Sequence, residues 1–191
     1  MMPKLLFIAS NRIGDAVLST GALAYAIDQI GADQVTIACG PLPAPLFRAV
    51  PGLVDLHIVS KRKARAFEHW MALYRALRGS RYDLAVDLRG TLLTLGLSAQ
   101  RRIIHRKNNA IRHKITDLTE TMRSPSPLEP RLWLDGAARA EADKLAPGGG
   151  APLLVLGPGT NFIGKQWPED RFALAALRLL GPGGALGGGR S

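Results

Sequence analysis

Apolar positions along this chain switch repeatedly between two patterns. Leu5-Leu6-Phe7-Ile8-Ala9 is a continuous run of the kind buried on both faces in a parallel sheet, and it predicts a first strand over Lys4–Ala9. Val17, Leu18, Ala22, Leu23, Ala26, Ile27 and Ile30 then recur three and four residues apart, a helical stripe from about Asp15 to Ile30 that Gly31 closes. The alternation continues. Strands are expected over Gln34–Ala38, Asp55–Val59, Tyr82–Asp87 and Arg102–His105. Helices are expected over Leu46–Val50 after a Pro-rich turn, over Ala66–Leu77 with Trp70, Leu73 and Leu77 on one face, and over Thr91–Ala99 and Ala110–Met122. Strand-helix alternation of this kind predicts an α/β fold built on a doubly wound, Rossmann-like parallel sheet.

The pattern then breaks. Ser124-Pro125-Ser126-Pro127-Leu128-Glu129-Pro130 reads as a linker, because its prolines cannot continue a helix or a central strand. A helix over Asp135–Leu145 and a joint at Pro147-Gly148-Gly149-Gly150 follow. The α/β pattern restarts with a strand over Pro152–Leu156, a loop over Gly157–Gln166 and a helix from Trp167 to about Leu180, whose Pro168, Glu169 and Asp170 suit a helix N-terminus. The last eleven residues hold six glycines and no further strand. The expected division is a first domain over 1–123, a linker and connecting helix over 124–150, the start of a second domain over 151–180, and a Gly-rich disordered tail over 181–191. A length of 191 residues holds one α/β domain with some chain left over, whereas two full ones need roughly 300. The second domain is therefore expected to be incomplete.

Charge and composition narrow the classes of function. The net charge is +10, and it is local: residues 61–114 carry 14 Lys and Arg against Glu68, Asp83 and Asp87. Such a face is either solvated surface or a site for phosphate groups. Its densest part, Lys61-Arg62-Lys63-Ala64-Arg65, follows a strand, at the sheet edge where α/β proteins hold ligands. Aromatic residues are sparse at 6% and no nucleic-acid motif is present, so no specific nucleic acid is expected as a partner. No apolar run reaches the roughly 18–20 residues that cross a bilayer. With a lone Cys39 and no cleavable leader, the chain reads as cytoplasmic. His57, His69, His105 and His113 lack metal-ligand spacing, so no metal site is expected.

Three segments carry candidate chemistry. Asn11-Arg12-Ile13-Gly14-Asp15 joins the first strand to the first helix, where Gly14 permits a tight turn and close approach of a ligand. The full G-x-G-x-x-G dinucleotide pattern is absent. Asp15 either complements the helix dipole or serves as a general base facing the cleft. Asp87-Leu88-Arg89-Gly90 ends a strand, and an aspartate so placed usually caps the loop that follows. Gly157-Pro158-Gly159-Thr160 through Lys165 is either a plain turn or a phosphate cradle in which backbone N–H groups, Thr160 and Lys165 converge; it lacks the Walker G-K-[ST] ending.

In order and spacing, Arg12-Ile13-Gly14-Asp15-Ala16-Val17-Leu18-Ser19-Thr20, Tyr82 through Gly90 and Lys165-Gln166-Trp167-Pro168-Glu169-Asp170-Arg171-Phe172 resemble glycosyltransferase family 9, the ADP-heptose:lipopolysaccharide heptosyltransferases. The resemblance runs from residue 4 to about 180. It implies a GT-B architecture, two Rossmann-like domains facing across a cleft, with neither metal nor other cofactor required. It implies transfer of heptose from ADP-heptose to the lipopolysaccharide inner core with inversion. Asp15 takes the role of catalytic base, and Thr160 and Lys165 that of donor-phosphate ligands. The phosphorylated, lipid-linked oligosaccharide acceptor goes to the first domain, at Arg12 and Gly14. Charge and position add Lys61, Arg62, Lys63 and Arg65 to the acceptor side, with peripheral contact at the inner face of the inner membrane. Nothing after Leu180 matches the family's nucleotide-binding segment, so activity of this truncated chain alone is expected to be absent or impaired. Two other readings remain: a non-enzymatic basic module for anionic lipid or nucleic acid, and a GT-B transferase with another nucleotide-sugar donor.

Overall fold

Five strands, β1 (Lys4–Ile8), β2 (Gln34–Cys39), β3 (Leu53–Ile58), β4 (Arg81–Asp87) and β5 (Ser98–Ile104), form one all-parallel sheet in the order β3-β2-β1-β4-β5. The computed structural model describes residues 2–59, 66–106, 112–145, 154–160 and 163–180. The chain divides into two compact units, Met1–Leu134 and Asp135–Ser191, and the sheet belongs to the first.

Helix α1 (Ile13–Ile30) crosses from β1 to β2, α2 (Ala66–Leu77) leads into β4, and α3 (Lys114–Met122) follows β5. Alternate residues of β1 point to opposite faces. Leu5 and Phe7 pack with Ala22, Leu23 and Ala26 of α1 and with Met122 of α3. Leu6 and Ile8 pack with Leu73 and Leu77 of α2, and Trp70 adds to that face. Leu5, Leu6, Phe7 and Ile8 are fully buried, each contributing about 1.5–3 kcal/mol of hydrophobic stabilisation. This two-faced burial is the doubly wound arrangement that the unbroken apolar run implies. Gly31 ends α1 in the left-handed conformation (φ 59°), its N–H donating to the Ile27 carbonyl.

Several expected elements differ. The helix expected over Thr91–Ala99 is a single 3-10 turn, Leu93–Gly96, and β5 begins at Ser98 rather than Arg102. Leucines at 92, 93, 95 and 97 mimic a helical stripe. The turn is instead fixed from outside: the Arg102 guanidinium donates to the carbonyls of Thr94 (2.9 Å) and Leu97, and the Tyr74 hydroxyl donates to Gly96 (3.1 Å). The expected helix Leu46–Val50 is a 3-10 turn, Ala44–Phe47, in keeping with the prolines at 43 and 45. The helix expected from Ala110 begins at Lys114, with His113 as its N-cap; residues 107–111 lie outside the described ones. The stretch around 124–134 lies along α1. Leu128 is buried, and the Arg131 N–H donates to Thr20 Oγ1 (2.9 Å).

In the second unit, α4 (Gly136–Leu145), a 3-10 turn (Ile163–Lys165) and α5 (Glu169–Leu180) are formed. Among the described residues, 154–156 of the expected strand Pro152–Leu156 pair with no strand, and Val155 and Leu156 are exposed; a strand needs a paired neighbour to persist. The remainder of that strand and the Gly-rich stretch 181–191 lie outside the described residues. Among the described residues no helix is long and apolar enough to cross a membrane.

Gly21 is where α1 meets the returning chain. A Cβ there would collide with the Glu129 carbonyl oxygen and come within 2.6 Å of that of Leu128, both rigid backbone. Gly21→Ala is expected to lower stability by about 1–3 kcal/mol through overpacking, despite alanine's better helix propensity. Urea unfolding of the two proteins measures this, and an unchanged or raised midpoint would show that 128–131 does not need its seat on α1.

Candidate functional site

The strand order reverses at β1: β2 and β3 lie to one side, β4 and β5 to the other. At such a switch point, loops leaving the carboxyl ends of the two central strands diverge and open a crevice. Register sets those ends level, with Ile8 opposite Asp87 and Asp87 opposite Ile104. A cleft of about 730 Å³ opens there. The loop after β1 and the start of α1 (Ser10, Asn11, Arg12, Asp15, Ser19) supply one wall, the loop after β4 (Leu88–Thr91) the floor, and His105, Arg112, Lys114 and Asp117 the other wall.

Asp87, fully buried at the end of β4, organises the floor. Its Oδ1 accepts the Arg89 N–H (3.0 Å), while Oδ2 accepts the Thr91 N–H (2.9 Å) and hydroxyl (2.7 Å). It caps the loop, as its position in the sequence suggests. The loop then turns at Gly90 (φ 63°), where a Cβ would sit 2.9 Å from the His105 carbonyl oxygen. This turn presents Arg89. Its Nη1 donates to Asn11 Oδ1 (2.9 Å), and its guanidinium lies 4.8 Å from the centre of the Trp70 ring, a cation–π contact. Burial pushes the Arg89 pKa down, and the negative charge of Asp87 pulls it back up. Asn11 is also pressed from behind, since Gly40 leaves no room for a Cβ beside the Asn11 Cα (2.8 Å).

Asp15 sits in the first turn of α1, half-buried, and faces the cleft. Its helix has no side-chain N-cap; instead Ser10 Oγ accepts the Arg12 N–H (3.2 Å) and donates to Asp15 Oδ2 at 3.5 Å. Asp15 is thus placed by the 10–12 loop, which Arg89 and Gly40 hold. Arg12 lines the same wall and is exposed. Gly14 lies within α1 with ordinary helical geometry, and a Cβ there would meet nothing within 4 Å. The fold therefore does not require the tight turn expected of Gly14.

Cationic Arg12, Arg89, Arg112 and Lys114 share the cleft with Asp15 and Asp117. Part of the basic surplus of residues 61–114 therefore converges on this site. Lys61, Arg62, Lys63 and Arg65 lie outside the described residues. Thr160 and Lys165, in the second unit, are both exposed, and Lys165 ends the 3-10 turn. A shallow hollow of about 370 Å³ nearby is lined by Pro158, Gly159, Gln166, Trp167, Glu169 and Phe172, without Thr160 or Lys165; Trp167 and Phe172 meet edge-on at 5.0 Å. Among the described residues no group of three or more His, Cys, Asp or Glu is arranged to hold a metal.

The far wall escaped the sequence reading. His105, Lys114 and Asp117 come from a strand end and a helix nine to twelve residues on, and no spacing rule joins them. The only available signal was that His105 terminates a strand at the sheet's carboxyl edge.

The first unit has the parallel α/β fold of the N-terminal domain of GT-B type glycosyltransferases. By sequence, the chain matches no family model and no curated protein. By structure it is similar to a glycosyl transferase of family 9 from Veillonella parvula DSM 2008, with a TM-score of 0.73 at 15% identity over 93% of this chain and 60% of that one. It is also similar to the E. coli heptosyltransferase WaaC with ADP (TM-score 0.59, 18% identity, 91% of this chain and 64% of that one). WaaC with ADP-2-deoxy-2-fluoro heptose gives a TM-score of 0.61 at 18% identity over 91% and 65% of the two chains. The chain spans 60–65% of the length of these structures.

Cys39, at the end of β2, lies beside this apparatus. Burial raises its thiol pKa to about 11, against an opposing pull from Arg89. The folded state thus keeps a proton that an unfolded thiol releases near pH 9, so this contribution to stability is complete below pH 9 and is lost between about pH 9 and 11. Labelling by a disulfide reagent at pH 8 is expected to track global unfolding; rapid stoichiometric labelling of the native chain would contradict this.

Proposed function

We propose that the cleft takes the acceptor of a glycosyl transfer of the heptosyltransferase type, in which heptose moves from ADP-heptose to the lipopolysaccharide inner core with inversion. The observation that carries this reading is Asp15, a carboxylate on the first turn of α1 facing a polar cleft at the switch point of the sheet. The likeness to glycosyltransferase structures, among them one holding ADP, supports it.

In this reading Asp15 accepts the proton of an acceptor hydroxyl as that oxygen attacks the anomeric carbon. A new C–O bond forms on one face of the sugar, the bond to the diphosphate breaks on the other, and ADP departs. Thr160 and Lys165 stabilise the charge growing on the diphosphate, and no metal or other cofactor takes part. The first unit, with 124–134 seated along α1, takes the acceptor side, and a donor side begins at 151–180. Arg12 and the open backbone face at Gly14 contact the acceptor, with Lys61, Arg62, Lys63 and Arg65 meeting its phosphates. The acceptor is lipid-linked, so the protein works peripherally at the inner face of the inner membrane.

The 191-residue chain alone is expected to transfer little or no heptose, so the test joins acceptor binding, read from backbone amide shifts, to transfer from ADP-heptose at long incubation and high enzyme. Delipidated inner-core acceptor is expected to shift the amides around Asp15, and any product has inverted configuration and forms roughly 10²–10⁴-fold more slowly in Asp15→Asn while acceptor binding persists. Acceptor that leaves those amides unmoved, retained configuration, or undiminished transfer by Asp15→Asn would overturn the assignment.

A further inference from the structure

The wall of the cleft opposite Asp15 carries a built arrangement of side chains with no part in the reaction just described. His105, only 6% exposed, closes the carboxyl end of β5. Its Nδ1 lies 3.1 Å from Thr121 Oγ1. That hydroxyl has one proton, and it is engaged: Thr121 Oγ1 donates to the Asp117 carbonyl (2.8 Å). A carbonyl can only accept, so towards His105 the hydroxyl must accept, and Nδ1 must carry a hydrogen. The tautomer of the ring is thereby set, and in the neutral ring Nε2 is an acceptor.

Among the described residues, Nε2 faces two groups. Lys114 Nζ is 3.4 Å away and Asp117 Oδ2 is 3.3 Å away, while Lys114 and Asp117 pair with each other at 3.0 Å. The ammonium of Lys114 bridges the ring nitrogen and the carboxylate, donating to both. Two of its three hydrogens are so used, and the third is directed by the first two. All these contacts to the carboxylate fall on Oδ2. Asp117 and Lys114 both line the cleft, whereas Arg112, on the same wall, is drawn to Glu120.

We propose that Asp117 and Lys114 form a hydroxyl-recognition site that takes a vicinal diol of a sugar, with His105 as the positioning residue that holds them. A carboxylate oxygen accepts from one hydroxyl while an ammonium donates to its neighbour, which is the complement a diol requires. This rests on the reading that the cleft takes a sugar-bearing acceptor, and it names the part of that acceptor the far wall reads. The site recognises uncharged hydroxyls. An anion would meet the Asp117 carboxylate, which already neutralises Lys114.

The test is NMR on the chain carrying ¹⁵N-histidine and backbone ¹⁵N, at neutral pH, with methyl α-D-mannopyranoside as the diol probe and inorganic phosphate as the anion control. Before any probe is added, His105 is expected to carry a proton on Nδ1. The sugar then shifts His105 Nε2 and the amides of Lys114 and Asp117 in a saturable way. Asp117→Asn weakens that response roughly tenfold or more, the size of a lost hydrogen bond to a charged group. Lys114→Met, which keeps a good helix former at the first position of α3, weakens it likewise and serves if Asp117→Asn fails to fold. A ring protonated on Nε2 and bare on Nδ1 overturns the positioning role. Phosphate producing the same shifts, and displacing the sugar, overturns diol recognition. Sugar shifts confined to residues around Asp15 overturn this site and leave the acceptor reading standing, whereas no sugar-induced shift at any cleft residue overturns both.

Discussion

A buried carboxylate must find hydrogen-bond donors or the structure around it rearranges. Asp87 meets that demand with the next four residues of its own chain, taking the N–H groups of Arg89 and Thr91 and the Thr91 hydroxyl. The polar wall on the β1 side of the cleft follows from this. The capped loop cannot continue β4, so it turns at Gly90 and delivers Arg89 across the sheet edge to Asn11. Trp70 covers the guanidinium from the α2 side, and Gly40 closes the space behind Asn11. The loop before α1 is thus held by contacts from two other segments, one of them braced by Trp70, and it compensates for a helix start that lacks a side-chain cap. Asp15 inherits its position from that chain of contacts.

The sheet supplies the rest of the geometry. Parallel strands in this order put the ends of β1, β4 and β5 at one level, so a carboxylate at the end of the central pair lies beside two diverging loops. The same register places His105 one residue beyond β5, with its N–H on the Asp87 carbonyl (2.9 Å). Both walls of the cleft are therefore tied to Asp87, one through Arg89 and Asn11 and the other through the backbone of β5. Where a charged side chain is needed, it is anchored at short range: Lys114 by Asp117, Arg112 by Glu120, Arg89 by an aromatic face.

The buried half of the fold was legible in the sequence because burial leaves a periodic record. The run Leu5–Ala9 and the stripe from Val17 to Ile30 read directly as β1 and α1, and Trp70, Leu73 and Leu77 as the packed face of α2. Legibility failed where a local pattern is overruled from a distance. The leucines at 92, 93, 95 and 97 read as a helix, but Arg102 and Tyr74 bind the carbonyls that a helix would use. Prolines 125, 127 and 130 read as a linker, yet Gly21 and Thr20 offer that segment a seat on α1. Of the cleft, the positions of Asp15 and of the cap at Asp87 were legible, because one opens the first helix and the other ends a strand. The cluster of His105, Lys114 and Asp117 was not, since its geometry comes from the docking of α3 beside β5.

The account places an acceptor hydroxyl against Asp15, on a loop held by Arg89. The most direct measurement is a crystal structure of the chain with delipidated inner-core oligosaccharide. The account predicts the sugar in the cleft between the loops after β1 and β4, with a hydroxyl about 3 Å from an Asp15 carboxylate oxygen. Oligosaccharide bound elsewhere on the first unit, with the cleft left to solvent, would contradict it.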